Sequence, residues 1–162
     1  MFNYNAESGC CPRFVTDKWD EKEFTWNGKL FVKDRVRTVF YIPIGFGKVI
    51  TRCWKKIEEA GALTPEPPPV LSDHTSPWNM DLYIEVTKEV PGAEMAQLSG
   101  TYLTKVFEGP YSEIGKQEKA MKEWVAAKGK SIEKYLMYYT YCPKCAKFYG
   151  KNPTVHVVKV SA

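Results

Sequence analysis

The sequence predicts an α+β fold in which two pseudo-symmetric β-α-β-β modules form a largely antiparallel sheet with two main helices and a central cleft. The order strand, helix, strand, strand occurs twice along the chain, at a period of about 70 residues. Both predicted helices stop at a glycine, Gly61 in the first half and Gly129 in the second. The 162 residues, 44% of them hydrophobic, suffice for one domain with a sizeable core.

An N-terminal extension precedes the first module. Residues 1–29 mix polar and aromatic residues without a period, which predicts an extension packed on the body of the domain. The domain itself is predicted over residues 30–162, with halves at about 30–90 and 91–162. Residues 30–44 are dense in β-branched and aromatic side chains and predict its first strand. The aromatic anchors of the extension are Phe14, Trp19, Phe24 and Trp26.

An amphipathic helix follows over residues 45–62, GFGKVITRCWKKIEEAGA. Its apolar residues at helical spacing are Val49, Ile50, Cys53, Trp54 and Ile57. Residues 63–79 hold five of the 11 prolines and predict a loop that could cover a pocket. Residues 80–87 alternate between an apolar and a polar face, which predicts a strand whose second face is polar or functional.

The second half repeats this order. Residues 93–109 predict a strand that is broken or bulged at Gly100. Residues 110–129 predict the second amphipathic helix, with Trp124 on its apolar face as Trp54 is on the first. Two strands close the chain, KYLMYYTY and PTVHVVKV, and a loop that contains CPKC joins them.

Charge and hydrophobicity exclude several classes of protein. The net charge of +4 comes from lysines and arginines scattered among acidic residues, so no direct binding of nucleic acid is predicted. No apolar run approaches the ~18 residues of a membrane span. The first residues lack a signal peptide's basic start and apolar core, and a cytoplasmic location with reduced cysteines is predicted.

The cysteines leave three interpretations open. Cys142 and Cys145 form a C-x-x-C motif, and a structural zinc site would need a second pair, for which Cys10 and Cys11 are available. Adjacent cysteines seldom both bind one tetrahedral ion, and no thioredoxin-like β-α-β unit precedes the motif. The sequence therefore favours an inert loop over a zinc site or a redox pair, and predicts a protein that folds without metal and uses no cofactor.

Tyrosines surround this motif. In a strand, alternation places Tyr135, Tyr139 and Tyr141 on one face and Tyr138 on the other. The cluster is either ordinary strand packing or an aromatic wall whose hydroxyls orient a ligand.

Glu85 is the candidate catalytic carboxylate from the residues alone. It lies in the middle of a strand among apolar neighbours, where a carboxylate is costly unless it is paired or used. It could be a general base that activates water or the counter-charge of a cationic ligand, or it could be a solvent-facing glutamate. Asp81, on the same face, is the second candidate, whereas His74 and His156 show no partner in the sequence and are predicted to be structural or exposed.

Three stretches carry a resemblance to a known family: LTKVFEGPYSEIGKQEKAMKEW, the N-terminal CCPRF and TYCPKCAKFYGKN. Together with the element order of residues 30–160, they resemble the GyrI-like small-molecule-binding family, built from paired SHS2-type modules, and in particular a stand-alone bacterial branch. The resemblance implies a central cleft for flat, aromatic or cationic molecules. Some stand-alone members hydrolyse the cyclopropane ring of DNA-alkylating compounds, whereas others bind drugs for a transcription activator or act on gyrase.

One departure from that family shifts the predicted site. Where multidrug-sensing members carry a glutamate, this chain has Lys134 and Tyr135, so the acidic role is assigned instead to Glu85, beside Tyr83.

The resulting prediction is a small-molecule-binding protein, with hydrolysis by a carboxylate-activated water as the favoured activity. Glu85 and Tyr139 are the predicted catalytic residues. Two alternatives stay open, a non-catalytic drug-binding or gyrase-modulating protein and a zinc module built on Cys10, Cys11, Cys142 and Cys145. The predicted ligand-binding residues are Trp78, Asp81, Tyr83, Phe107, Tyr111, Tyr135, Tyr138 and Tyr141.

Overall fold

A computed structural model describes residues 11–161 of the chain. The strands are β1 (Lys22–Val39), β2 (Ile42–Ile44), β3 (Val70–Ser76), β4 (Asn79–Glu85), β5 (Glu94–Glu108), β6 (Ser131–Tyr139) and β7 (Pro153–Ser161). The helices are α1 (Phe46–Glu59), α2 (Ile114–Ala127) and the short α3 (Pro143–Tyr149), with 3-10 turns at Thr16–Lys18 and Tyr111–Glu113. None of the helices in this range is long and apolar enough to cross a membrane.

The sheet consists of two copies of one module. The first contains β1, α1, β3 and β4, with the short edge strand β2 inserted between β1 and α1, and its strands lie in the order β1-β4-β3; in the second, β5, α2, β6 and β7 give the order β5-β7-β6. The modules join through β3 with β6 and through β1 with β5, so that the sheet closes on itself. Every strand pair described is antiparallel. The predicted fold class is confirmed.

Alternation along the strands gives the sheet two different faces. The inner face carries one apolar cluster, which includes Phe31, Leu71 and Leu136. On the outer face, here called the helix-side face, α1 packs on the strands of the first module through Trp54 and Ile57. Helix α2 packs on the second module through Met121 and Val125. Each helix thus covers its own module and leaves the seam between β3 and β6 open between them.

The region predicted to be a loop after the first helix contains a strand. The run of prolines ends at Pro69, and β3 begins at Val70, ends before Pro77 and pairs with both β4 and β6. Proline breaks a strand only where it occurs, because it lacks the backbone donor that the ladder needs, so the proline-free stretch after it is able to pair. From the sequence alone we would pair strand 80–87 with strand 135–141 at the seam between the halves; that pairing is wrong, since β3 lies between them.

Three other boundaries differ from the predictions. Strand β1 begins at Lys22, because the end of the predicted extension pairs with β5. Strand β5 is continuous through Gly100, and the register shift lies opposite it, between Trp26 and Lys29 of β1. The last three residues of the CPKC motif begin α3, which has Pro143 in its first turn, and Cys142 directly precedes the helix.

The N-terminal segment, residues 11–21, packs on the inner face of the sheet. Phe14 and Trp19 meet the ring of Tyr138 edge-on, at centroid distances of 6.0 and 5.5 Å. Asp20 accepts a hydrogen bond from the backbone of Val106 in β5. These contacts bring Cys11–Phe14 to the end of β6.

Candidate functional site

A cavity of about 2650 Å³ opens along the β3–β6 seam between α1 and α2. These two strands are joined by only two register pairs, Leu71 with Tyr138 and Ser72 with Met137. The seam is therefore weakly closed, and the cavity is lined by side chains from both faces of the sheet. The helix-side lining includes Tyr41, Phe46, Ile50, Trp54, His74, Met80, Tyr111, Ile114, Glu118, Val125, Tyr135, Met137 and Tyr139.

Strand register assigns the tyrosines of β6 to two faces. Residues in register share a face, so Tyr138 lies with Leu71 and Tyr83 on the inner face. Tyr135 and Tyr139 alternate with it and so lie on the opposite face from Tyr138, as predicted; that face is the helix-side face. Tyr141 does not share their face, because β6 ends at Tyr139. It packs instead in a stack with Tyr149.

A polar cluster lies on the helix-side wall. The hydroxyl of Tyr139 is 2.9 Å from Nε2 of His74, a hydrogen bond between β6 and β3. The ring of Tyr41 meets the ring of His74 edge-on at a centroid distance of 6.1 Å, and the ring of Tyr111 meets that of Tyr139 edge-on at 6.0 Å. Across the cleft, α2 contributes the half-buried carboxylate of Glu118.

Burial and the charge of Glu118 set the protonation of this cluster. Burial raises the pKa of Tyr135 and of Tyr139, and the nearby negative charge of Glu118 raises both further. Burial lowers the pKa of His74, opposed in part by Glu118 and Asp73. At neutral pH the cluster therefore contains two protonated phenols and a neutral imidazole.

The hydrogen bonds also indicate which nitrogen of His74 carries its proton. Nδ1 of His74 is buried and has no hydrogen-bond partner among the described residues. A buried acceptor without a partner is less costly than a buried N–H without one, so the proton is assigned to Nε2, which donates to Tyr139. The hydroxyl proton of Tyr139 then remains available to a molecule in the cleft.

Glu85 lines the cavity on the opposite face of the sheet. It lies two residues from Tyr83 and therefore shares the inner face with Tyr138, whereas Tyr139 points to the helices. Its carboxylate is 3.3 Å from Nζ of Lys29, whose ammonium also lies 5.2 Å from the ring centroid of Trp26. The charge of Glu85 is thus matched by a lysine, and the two predicted catalytic residues are on different faces.

The predicted ligand-binding residues divide into two groups. Tyr111, Tyr135, Tyr138 and Tyr141 line the cavity. The other four lie away from it. Trp78 is exposed in the β3–β4 turn against Phe40, and Phe107 packs against His156.

Asp81 and Tyr83 are held by charges on the inner face. One carboxylate oxygen of Asp81 lies 3.8 Å from Nζ of Lys33, and the other lies 3.8 Å from Nε of Arg35. Arg35 is the register partner of Asp81 on β1. The hydroxyl of Tyr83 accepts a hydrogen bond from Nζ of Lys134 at 3.3 Å. Buried charges and hydroxyls of this kind need such partners, and neither residue reaches the cavity.

Sequence reasoning missed Glu118 and the role of His74. Glu118 follows Ile114 by four residues and precedes Val125 by seven, which places a carboxylate in the apolar stripe of an amphipathic helix. That position is the signal that could have identified it. The position of His74 could not be identified, because β3 was predicted as a loop.

Three cysteines lie close together at one end of the cavity. The sulfur atoms of Cys11, Cys142 and Cys145 lie within 4.8 Å of one another. Cys10, the other cysteine of the predicted zinc set, lies outside the described residues.

Comparisons with known proteins identify a family for this chain and solved structures with a similar fold. A family model described as bacterial hydrolase matches residues 1–160. A crystal structure of a hydrolase from Listeria innocua has a TM-score of 0.64 at 12% identity, covering 88% of this chain and 92% of that one. The EcmrR C-terminal domain gives 0.66 at 12% identity, with 88% and 98% covered.

A more distant solved structure contains a ligand. SAV2435 bound to tetraphenylphosphonium gives a TM-score of 0.51 at 8% identity, with 88% of this chain and 94% of that chain covered. At such identities these likenesses establish the fold alone. A comparison with curated proteins finds no match.

Proposed function

The chain belongs to the bacterial hydrolase family, and we propose that its cleft binds flat aromatic or cationic small molecules and hydrolyses reactive compounds among them. The observation that carries the proposal is the half-buried carboxylate of Glu118, which faces two phenols and an imidazole inside an aromatic-lined cavity. The same proposal includes a narrower assignment, that this chain is a GyrI-like protein that opens the cyclopropane rings of its substrates.

The shape and chemistry of the cleft suit a flat ligand. Trp54, Tyr135 and Tyr139 offer ring surfaces, and aromatic walls with a few polar groups are typical of small-molecule sites. A carboxylate on the opposite wall supplies the counter-charge for a cation. That SAV2435 binds tetraphenylphosphonium with a related fold supports this class of ligand.

In the proposed reaction, Glu118 accepts a proton from a water molecule held in the cleft. The water oxygen forms a bond to a ring carbon of the cyclopropane, and the carbon–carbon bond that breaks leaves its electron pair on the conjugated carbonyl of the substrate. That oxygen becomes a phenolate and takes up a proton, and Glu118 releases the proton that it accepted from water, so that the net change is the addition of one water. General-base assistance of this kind is typically worth about 10²–10⁴-fold in rate.

Tyr139 stabilises the developing negative charge. Its raised pKa keeps the hydroxyl protonated, and the hydrogen bond from His74 leaves that proton directed to the substrate oxygen. His74 is a positioning residue in this scheme.

The second candidate function is binding without turnover. The same cleft would sequester a lipophilic cation through its rings and carboxylate alone. The two functions differ in one observable, the chemical change of the bound molecule.

Mass spectrometry tests the proposal directly. The protein is incubated with a cyclopropane-bearing alkylating compound, and a product heavier by one water is expected at a rate that scales with protein concentration. In parallel, calorimetry with tetraphenylphosphonium is expected to give one saturable site. Binding without a product would favour sequestration. The absence of both product and binding would contradict both functions.

Replacing Tyr139 by phenylalanine tests the phenol separately from the ring. The ring contacts survive and one hydrogen bond of about 1 kcal/mol is lost, so we expect roughly a fivefold to tenfold fall in kcat and little change in binding of tetraphenylphosphonium. The Tyr139→Phe substitution also leaves His74 without its hydrogen-bond partner, and Tyr111→Phe is the matched control, since it removes a phenol from the same cavity. An equal loss in both variants would contradict a specific role for Tyr139.

A further inference from the structure

We propose that Cys11, Cys142 and Cys145 bind a zinc ion that ties the N-terminal segment to α3 at the end of the cleft. This inference is independent of the proposed hydrolysis and concerns a second site. The sequence favoured an inert C-x-x-C because it contains only one such motif. The fold changes that argument, because it brings Cys11 to the motif across a separation of 131 residues.

The spacing of the three sulfur atoms fits a tetrahedral ion. Zinc–thiolate bonds of about 2.3 Å place two ligand sulfurs about 3.8 Å apart in a tetrahedron. The sulfurs of Cys11 and Cys142 are 3.8 Å apart, and all three lie within 4.8 Å of one another. A disulfide would require about 2.05 Å. A set made only of soft thiolate donors favours zinc over hard cations such as Mg²⁺.

The protein around the cluster is built to hold these positions. Cys145 is fully buried in α3, and Cys142 directly precedes that helix. The hydroxyl of Tyr149 donates a hydrogen bond of 2.6 Å to the carbonyl of Cys11, and the hydroxyl of Tyr141 accepts one of 2.7 Å from the backbone of Phe14. The N-terminal segment is therefore attached to α3 and to the end of β6 on both sides of the sulfurs.

Charge in this region also suits a thiolate–zinc centre. Arg13 follows Cys11 by two residues, and its guanidinium lies 4.9 Å from the ring centroid of Tyr149, whose hydroxyl donates to the carbonyl of Cys11. Cations near thiolates offset the excess negative charge of a zinc site with several cysteine ligands. The described residues supply three ligands; structural zinc sites take four, and the remaining one comes from outside this set.

Metal analysis of the full chain tests the proposal. The protein is produced with added zinc and purified with a phosphine reductant and without chelator, and elemental analysis is expected to find about one equivalent of zinc. Replacement by cobalt(II) is expected to give the thiolate charge-transfer and strong d–d absorption bands of a tetrahedral thiolate site. Removing the metal with a chelator is expected to lower Tm by several degrees, because a ligand that binds only the folded state stabilises it.

Three cysteine variants locate the site. Cys142→Ser and Cys145→Ser are expected to lose the metal, the cobalt bands and the effect of chelator on Tm. Cys53→Ser is the matched control: Cys53 is buried in α1, where its thiol donates to Asp34 and burial raises its pKa to about 12. It should keep the full metal content.

Specific results would overturn the proposal. One is a reduced, folded wild-type chain that takes up neither zinc nor cobalt. Another is unchanged metal content in folded Cys142→Ser, which is the safer variant because Cys142 is only half-buried. A third is a disulfide between two of these three cysteines, located by peptide mass spectrometry in folded protein purified without reductant.

Discussion

Replacing Glu118 by glutamine is expected to lower kcat/KM for hydrolysis by about 10²–10⁴-fold while leaving the fold intact. Glutamine keeps the shape of the side chain and removes both its basicity and its charge. The charge of Glu118 raises the pKa values of Tyr135 and Tyr139, so its removal changes the electrostatic environment of both phenols on the helix-side wall. The variant should also bind tetraphenylphosphonium more weakly, yet bind a neutral aromatic molecule of similar size as before. Product formation followed by mass spectrometry and calorimetry with both probes measure these effects.

The matched control for Glu118→Gln is Glu85→Gln. Glu85 is paired with Lys29 on the opposite face, where both side chains are about a quarter to a third exposed, so its loss is expected to cost about 0–1 kcal/mol of stability and little activity. If instead Glu85→Gln abolishes turnover and Glu118→Gln does not, then the carboxylate predicted from the sequence is the catalytic one. In that case the reaction takes place on the inner side of the cavity.

The repeated module was predictable because its signals are local. The apolar residues of α1 recur at helical spacing, and the strands β4 and β7 are read from residues next to one another in the chain. A glycine after each of the first two helices marks where the chain reverses. These features belong to single elements, so one sequence suffices to read them.

The site was predicted less well because it depends on how the elements are arranged. The position of His74 depends on the pairing of β3 with β6. The prolines just before β3 led to the prediction of a loop there, so this pairing was not predicted. The faces of Glu85 and Tyr139 depend on the register between strands from different modules. The convergence of Cys11 with Cys142 crosses nearly the whole chain. No local pattern in the sequence encodes these long-range contacts.

Lowering the pH from 7 to 4 is expected to remove about 3 kcal/mol of stability through His156 alone. His156 is fully buried, and burial lowers its pKa from 6.5 to about 4. Its Nε2 lies 2.9 Å from Oε1 of Gln117, and its Nδ1 lies 2.5 Å from the hydroxyl of Tyr135, an arrangement that suits a neutral ring. The unfolded chain takes up a proton on this ring below about pH 6.5 and the folded chain only near pH 4, so stability decreases as the pH falls through that window.

His156→Gln isolates this contribution, because glutamine stays neutral at every pH. Urea unfolding at several pH values between 7 and 4 is expected to show a steeper loss of stability in the wild-type chain than in the variant. The comparison uses the slopes, since the substitution itself also changes packing against Phe107 and Tyr135. Carboxylates that titrate below about pH 5 contribute equally to both proteins and cancel in the difference. Parallel curves would mean that His156 is protonated in the folded chain as readily as in the unfolded one, which would contradict a neutral, buried imidazole between Tyr135 and Gln117.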